Sequence, residues 1–130
     1  MAQNNDPLAT VGRLFDAFRR GDLDALIETV HPQARWTYFG TNANSTKAEL
    51  VGKASVRLFY DEIINRLETT AFDTREFIVQ GQTVVVFGTE SWTVKASGQR
   101  FHREWTQKYV VQEDLITRMV EYNIQVEPRT

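Results

Sequence analysis

The sequence predicts an α+β fold, with three N-terminal helices packed into a curved, mostly antiparallel sheet and a single domain over residues 1–130. Three observations predict it. Apolar residues recur at spacings of three and four through the first half, and residues 83–126 read as three long strands joined by Gly- or Asp-bearing turns. A chain of 130 residues that is 42% hydrophobic suits one core but not two. A strongly twisted sheet of this size can curl around the helices and bury both, leaving a cone whose open end is a natural ligand site.

The first helix starts with Asp6 as N-cap and Pro7 at the first helical position. Leu8, Val11, Leu14, Phe15 and Phe18 form its apolar face, and Gly21 suits the left-handed position after Arg19-Arg20. Asp22 caps a second, short helix through Leu23, Leu26, Ile27 and Val30, which His31-Pro32 should terminate. Ala34 to Phe39 reads as a short strand, and the polar stretch Gly40 to Glu49 as a loop or lid. The third helix, Lys53 to Leu67, carries Val56, Phe59, Tyr60, Ile63, Ile64 and Leu67 on one face. A strand near Ala71 to Val79 leads through Gln80-Gly81 into Thr83 to Val94, Arg100 to Val111 and Leu115 to Val126. With a two-residue turn at Ser97-Gly98 and a three-residue turn at Gln112-Glu113-Asp114, Glu90 falls opposite Trp105, and Trp105 opposite Glu121. Two carboxylates and an indole then share one row of a sheet face. Acidic groups on a mostly apolar face are unfavourable unless paired or hydrated, so the row points to a lined pocket.

Several function classes are excluded. A formal charge of -2, with basic residues scattered and no aromatic-basic stripe, gives no case for nucleic acid. The chain has no cysteine, so disulfides, thiol nucleophiles and thiolate-bound zinc are ruled out. His31 and His102 are too far apart for a metal-ligand pair, and the glycines stand singly at turns, so no metal and no cofactor is expected. His31 is read as a cap on the second helix and His102 as a satisfied sheet histidine. The start of the chain has no basic segment followed by an apolar run, and no stretch approaches ~18 apolar residues. The expectation is a cytoplasmic protein with no membrane contact.

The segment FDAFRRGDLDALIETVHPQARWTYFG resembles the opening of the NTF2-like superfamily, in particular its SnoaL-like and ketosteroid-isomerase-related members. EFIVQGQTVVVFGTESWTVKASGQRF and EWTQKYVVQEDLITRMVEY are similar to the remaining strands of that group. The resemblance implies the cone fold. It fits the group's named enzymes poorly. Where ketosteroid isomerases place an oxyanion-binding tyrosine and an aspartate base, this chain has Leu14 and Tyr38, and no carboxylic acid stands between Trp105 and Gln107. The positions resembling the arginine and first aspartate of limonene-epoxide hydrolases are Ser91 and Thr93, and only Glu121 keeps an acid on the last strand.

Glu121 is therefore the first candidate for an acid/base group, with Tyr38 or Gln107 to orient a substrate. Trp105, Gln107, Glu90, Trp92, Met119 and Asn123 are expected to line the pocket. Two registers remain open for the strand before the Ser97 turn: the turn count puts Glu90 and Trp92 inward, the epoxide-hydrolase resemblance puts Ser91 and Thr93 inward. Trp36 and Tyr38 are assigned to opposite strand faces, with Tyr38 inside. Glu121 also has a surface reading, paired with Arg103 or Arg118, and Glu90 a solvated one on the convex face. Two functions follow from the pocket. One is cofactor-independent acid/base chemistry on a small apolar or aromatic molecule, by an isomerase, cyclase or hydrolase. The other is a non-catalytic ligand-binding or dimeric scaffold module. Phe87, Val110, Val120, Tyr122 and Ile124 put enough apolar surface on the outer sheet face to predict a homodimer there.

Overall fold

Asp6 accepts a hydrogen bond from the Ala9 amide at 3.3 Å, and Pro7 follows it into helix α1, Pro7–Arg20. Gly21, at φ 67°, closes that helix in the left-handed region, where a side chain would be strained. Asp22 takes the Ala25 amide at 3.1 Å and starts α2, Leu23–Ile27. The computed structural model describes residues 6–40 and 47–125, and the chain continues as β1 (Val30–Phe39), β2 (Lys47–Val51), α3 (Lys53–Arg66), β3 (Leu67–Gln80), β4 (Thr83–Val94), β5 (Arg100–Gln112) and β6 (Leu115–Gln125). One curved, open sheet runs in the order β2-β1-β6-β5-β4-β3. Among the described residues only the β1–β6 pairing is parallel. Register shifts in β1, β3 and the β5–β6 ladder supply extra local bend and twist. Among the described residues no helix is long and apolar enough to cross a membrane.

The helices fill one end of the concave face. Val11, Leu14 and Phe15 of α1 are buried in one cluster with Val84, Val86, Trp105, Tyr109, Ile116 and Met119 of the sheet. Phe15 touches four rings, those of Phe72, Phe77, Trp105 and Tyr109, at centroid distances of 5.4 to 6.3 Å. Leu8, assigned to the same helix face, is exposed instead.

Several local expectations change. The second helix does not extend to Val30 or end at His31-Pro32. The Thr29 hydroxyl takes the Leu26 carbonyl at 2.7 Å, competing with the helix ladder, and the Thr29 carbonyl already accepts from the Ile116 amide. Val30 and His31 therefore open β1, and the register slips between Val30 and Arg35, where Pro32 has no amide to give. His31 caps no helix; its Nδ1 accepts from the Gln33 amide at 3.0 Å. The polar stretch read as a loop contains β2, paired antiparallel to β1 from Arg35↔Val51 to Phe39↔Lys47; residues 41–46 lie outside the described ones. Trp36 and Tyr38 share a face, as residues two apart on a strand must, and both are buried.

The register is displaced by two residues in each of the last two pairings. The β4–β5 connection is a wider loop, Lys95 to Gly98, closed by Val94 and Gln99. The β5–β6 turn is one residue shorter, Glu113-Asp114, both at positive φ (52° and 65°), and the register shift between Val110 and Val111 adds the second residue. Arg103 therefore faces Glu90, Gly88 and Asn123 flank Trp105, and Gln107 faces Glu121. A displacement of two keeps every side chain on its face. Glu90 and Trp92 are inward as the turn count expected, and Ser91 is on the other face, 2.8 Å from Nδ1 of His102, which is thereby satisfied.

Gly88 fits this register because nothing larger can. A Cβ there would lie 2.5 Å from the Asp73 carbonyl oxygen and run into the Trp105 ring. Gly88→Ala should destabilise the fold by about 1–3 kcal/mol through overpacking, read as a lower urea midpoint; an unchanged midpoint would show that Trp105 does not lie over β4.

Candidate functional site

Strand alternation and sheet curvature leave a cavity of about 330 Å³ between the helices and the concave face. Its walls are mostly aromatic: Phe15 and Phe18 of α1, Tyr38 of β1, Phe59 and Tyr60 of α3, Phe72 of β3, Trp92 of β4 and Tyr109 of β5. Against them stands one polar group: Glu90, Arg103, Gln107 and Glu121.

Arg103 joins the two carboxylates. Its Nε donates to Glu90 Oε2 at 2.6 Å, and its Nη2 lies 3.5 Å from Glu121 Oε2. The guanidinium also rests over the Trp92 ring, 4.9 Å from its centroid, and Trp92 stacks on Phe101. Glu121 is the deepest of the three, its side chain 4% exposed against 13% for Glu90 and 22% for Arg103. Gln107 Nε2 donates to Glu121 Oε1 at 2.5 Å, while the Tyr109 hydroxyl donates to Gln107 Oε1 at 2.6 Å. Tyr38 is the β1 neighbour of Glu121, and its hydroxyl bonds that of Tyr60, which also accepts from Trp36 Nε1 at 3.1 Å.

Burial pushes the Glu121 carboxyl up from its ordinary range; Arg103 opposes this and Glu90 reinforces it. Arg103 loses by burial but gains more from Glu90 and Glu121, so it is held more firmly protonated than a free arginine. Burial raises the phenol of Tyr60 to about 12 and those of Tyr38 and Tyr109 well above their usual value. All three tyrosines are thus neutral hydrogen-bonding groups near neutral pH. The arrangement combines a carboxyl biased toward its neutral acid form with an ion-paired carboxylate, at one end of an otherwise apolar chamber.

The family model for the SnoaL-like domain matches residues 11–119. The chain belongs to the SnoaL-like family. No curated protein matches this SnoaL-like chain in sequence. Among solved structures it is similar to an NTF2-like protein from Burkholderia xenovorans LB400, with a TM-score of 0.76, 22% identity and coverage of 95% of this chain and 92% of that one. It is also similar to an LEH-like epoxide hydrolase of M. tuberculosis, with a TM-score of 0.77, 13% identity and coverage of 91% and 82%. A SnoaL-like protein from Mesorhizobium loti, described as a polyketide cyclase, gives a TM-score of 0.69, 16% identity and coverage of 88% and 97%. At these identities the likeness is one of fold.

Of the residues singled out in the sequence, Glu121, Tyr38, Glu90, Trp92 and Gln107 line the cavity. Trp105, Met119 and Asn123 do not. Trp105 stacks on Phe72 and is 3% exposed, Met119 is wholly buried, and Asn123 gives its Nδ2 to the Phe39 carbonyl at 3.2 Å. They share the inward face but lie beneath α1 or toward the end of the ladder, where packing fills the space. Arg103, Tyr60 and Tyr109 were missed as site residues. Arg103 and Tyr109 share the alternation of Trp105 and Gln107, so the same count that found Gln107 could have found them.

The raised Glu121 carboxyl carries a pH signature. The unfolded chain loses this proton near a pH of about 4.3, whereas the folded chain holds it to higher pH. As pH rises between those two values, ionisation favours the unfolded state and folding stability falls. Glu121→Gln removes that loss, so its stability relative to wild type should grow over this window and be smallest below it, as measured by denaturant titration at a series of pH values. A pH-independent difference would contradict the raised carboxyl.

Proposed function

We propose that this SnoaL-like chain is a cofactor-independent acid/base enzyme, an isomerase, cyclase or hydrolase, acting on a small neutral molecule that is largely apolar or aromatic and bears an oxygen function. The observation that carries it is the meeting of Glu121 with the Glu90–Arg103 pair on the wall of an aromatic cavity. Glu121, biased toward the neutral acid, would protonate the substrate oxygen. Glu90 would accept a proton from carbon or from an attacking water, and Arg103 would steady both carboxylates as charge moves between them. Tyr38 and Gln107 would orient the ring, and Trp92 would cover one face of it. A chamber so lined disfavours a charged ligand, since its own charges already compensate one another. A carboxylate–guanidinium–carboxylate set is the kind of donor group with which limonene-epoxide hydrolases hold a water, although here Arg103 comes from β5 and not from the positions of Ser91 and Thr93.

The experiment is a thermal-shift screen of small neutral aromatic and cyclic oxygen compounds, followed by turnover assays on the compounds that bind. Glu121→Gln keeps shape and hydrogen bonding while removing the titrating group, so turnover should fall by roughly 10² or more. The wild-type rate should decline as pH rises through the Glu121 pKa, because the acid form is the active one. The second reading is a binding module without chemistry, favoured by Leu14 in the cavity wall where the isomerases carry a tyrosine. In that case Glu121→Gln leaves affinity within a few-fold and no compound turns over.

We also propose that two copies associate through the convex face. Phe87 and Tyr122 are exposed there, with Phe39 stacked on Tyr122 at 5.2 Å and Val110 half-buried beside them, while Val120 is already buried within the chain and the Ile124 side chain lies outside the described ones. Light scattering should give twice the 15.0 kDa chain mass at micromolar concentration; a 15.0 kDa particle would refute the dimer.

A further inference from the structure

Three donors meet around two phenol oxygens on the α3 side of the cavity. An indole N–H can only donate, so the 3.1 Å bond between Trp36 Nε1 and the Tyr60 hydroxyl makes the Tyr60 oxygen an acceptor. Tyr38 and Tyr60 share a second bond. Burial raises both phenols most; the shared bond adds to that rise at Tyr38, while Trp36 and Tyr38 both subtract from it at Tyr60. A hydrogen bond favours the neutral form of its donor and the charged form of its acceptor, so Tyr38 donates and Tyr60 accepts. Two donors then converge on the Tyr60 oxygen, and its own hydroxyl proton is left over. Among the described residues nothing accepts that proton. Glu121 Oε1 is taken by Gln107 and Glu90 Oε2 by Arg103, and Glu121 Oε2 has no hydrogen-bond partner.

Tyr60 belongs to the cavity wall, 8% exposed, and the rings of Phe18 and Phe59 meet it edge to face at 6.1 and 5.4 Å. Trp36 is wholly buried and is not part of that wall. The bonds from Trp36 and Tyr38 occupy two sides of the Tyr60 oxygen and leave the cavity for its proton. A hydroxyl that accepts is also a stronger donor, because each bond to its oxygen polarises the O–H further. We propose that the Tyr60 hydroxyl is a specificity-determining donor that holds one uncharged acceptor oxygen of the ligand, a carbonyl by preference, with Trp36 and Tyr38 as the positioning residues that aim it. A ligand hydroxyl would bring another proton, and the rings of Phe18 and Phe59 beside Tyr60 offer it no acceptor. A ligand carboxylate would meet Glu121 and Glu90, both near enough to weigh against a negative charge at Tyr60. The ligand class is therefore a small cyclic or aromatic ketone, aldehyde or ester. The inference rests on the proposed reading for a small neutral molecule in the chamber, but not for any turnover of it.

The test compares two bicyclic probes of nearly the same shape, 1-tetralone and the hydrocarbon tetralin, by calorimetric titration of the full chain. Wild type should bind the ketone about tenfold more tightly, the worth of one hydrogen bond made away from water. Tyr60→Phe keeps the ring and removes the proton, so the preference should vanish or invert, since the carbonyl then leaves water with nothing in exchange. Tyr38→Phe removes one of the two donors to Tyr60 and should narrow the preference without abolishing it. A preference that survives in Tyr60→Phe puts the donor elsewhere on the wall and overturns the assignment. Equal wild-type affinity for the two probes, or binding of neither, overturns it as well. If Tyr60→Phe does not fold, because it leaves the Trp36 N–H unpaired, Tyr38→Phe decides. A preference wholly lost there makes Tyr38 the donor, and one unchanged means that Tyr38 does not act on Tyr60; either result overturns the assignment. Ketone preference without turnover leaves the donor in place and removes only the enzymatic reading, whereas turnover of compounds bound without that preference does the reverse.

Discussion

Three ionisable side chains stand within reach of one another in a chamber walled by aromatic rings, and Arg103 is what makes this tolerable. Among the described residues lining the cavity it is the sole cation. Two carboxylates placed so close in an apolar cavity would repel and lose hydration. Its tight bond to Glu90 and looser contact with Glu121 divide that burden unequally. Glu90 has the charge-assisted bond, while Glu121, deeper and less compensated, moves toward its neutral form. The same guanidinium therefore sets two chemically different carboxyls side by side, with its carbon over the Trp92 ring.

The fold serves this arrangement by supplying a chamber that its own side chains do not fill. Bulges and shifts bend the sheet, and α1 and α3 cover only part of the concave surface. Large rings meet edge to face across the gap, as Phe15 does with Phe72 and Tyr109 and Phe18 with Tyr60. Such contacts give good burial without closing the space, because rigid rings cannot collapse into it as aliphatic chains could. Gly88 contributes at the far end. By letting Trp105 lie across β4, it draws that indole away from the polar group and into the packed layer.

Much of this was legible in the sequence. The caps at Asp6, Gly21 and Asp22 placed the first two helices, because capping is a local matter of a side-chain oxygen or a positive φ. The start and end of β4 were read correctly, alternation put Gln107 and Glu121 on one face, and the turn count added Glu90 and Trp92 to it, which a two-residue error in register cannot disturb. The resemblance carried by the Gly-Asp turn and the flanking aromatics pointed to the family, but not to a reaction.

What the sequence could not decide were the pairings. Whether Glu90 meets Trp105 or Arg103 depends on how wide the turn after Val94 opens, and Ser97-Gly98 is compatible with either loop length. β2 carries little strand propensity in Lys47 to Val51 and exists because β1 offers it an edge. Arg103, read only as a possible surface partner of Glu121, became a site residue once curvature turned its strand face into a cavity wall. The sequence by itself determined which side chains of a strand share a face, since that depends on its two-residue repeat. Only the tertiary structure decided which of them touch and which are covered by helices, and therefore which carboxyl is pushed toward its neutral form, because those depend on loop closure, sheet bend and distances between residues far apart in the chain.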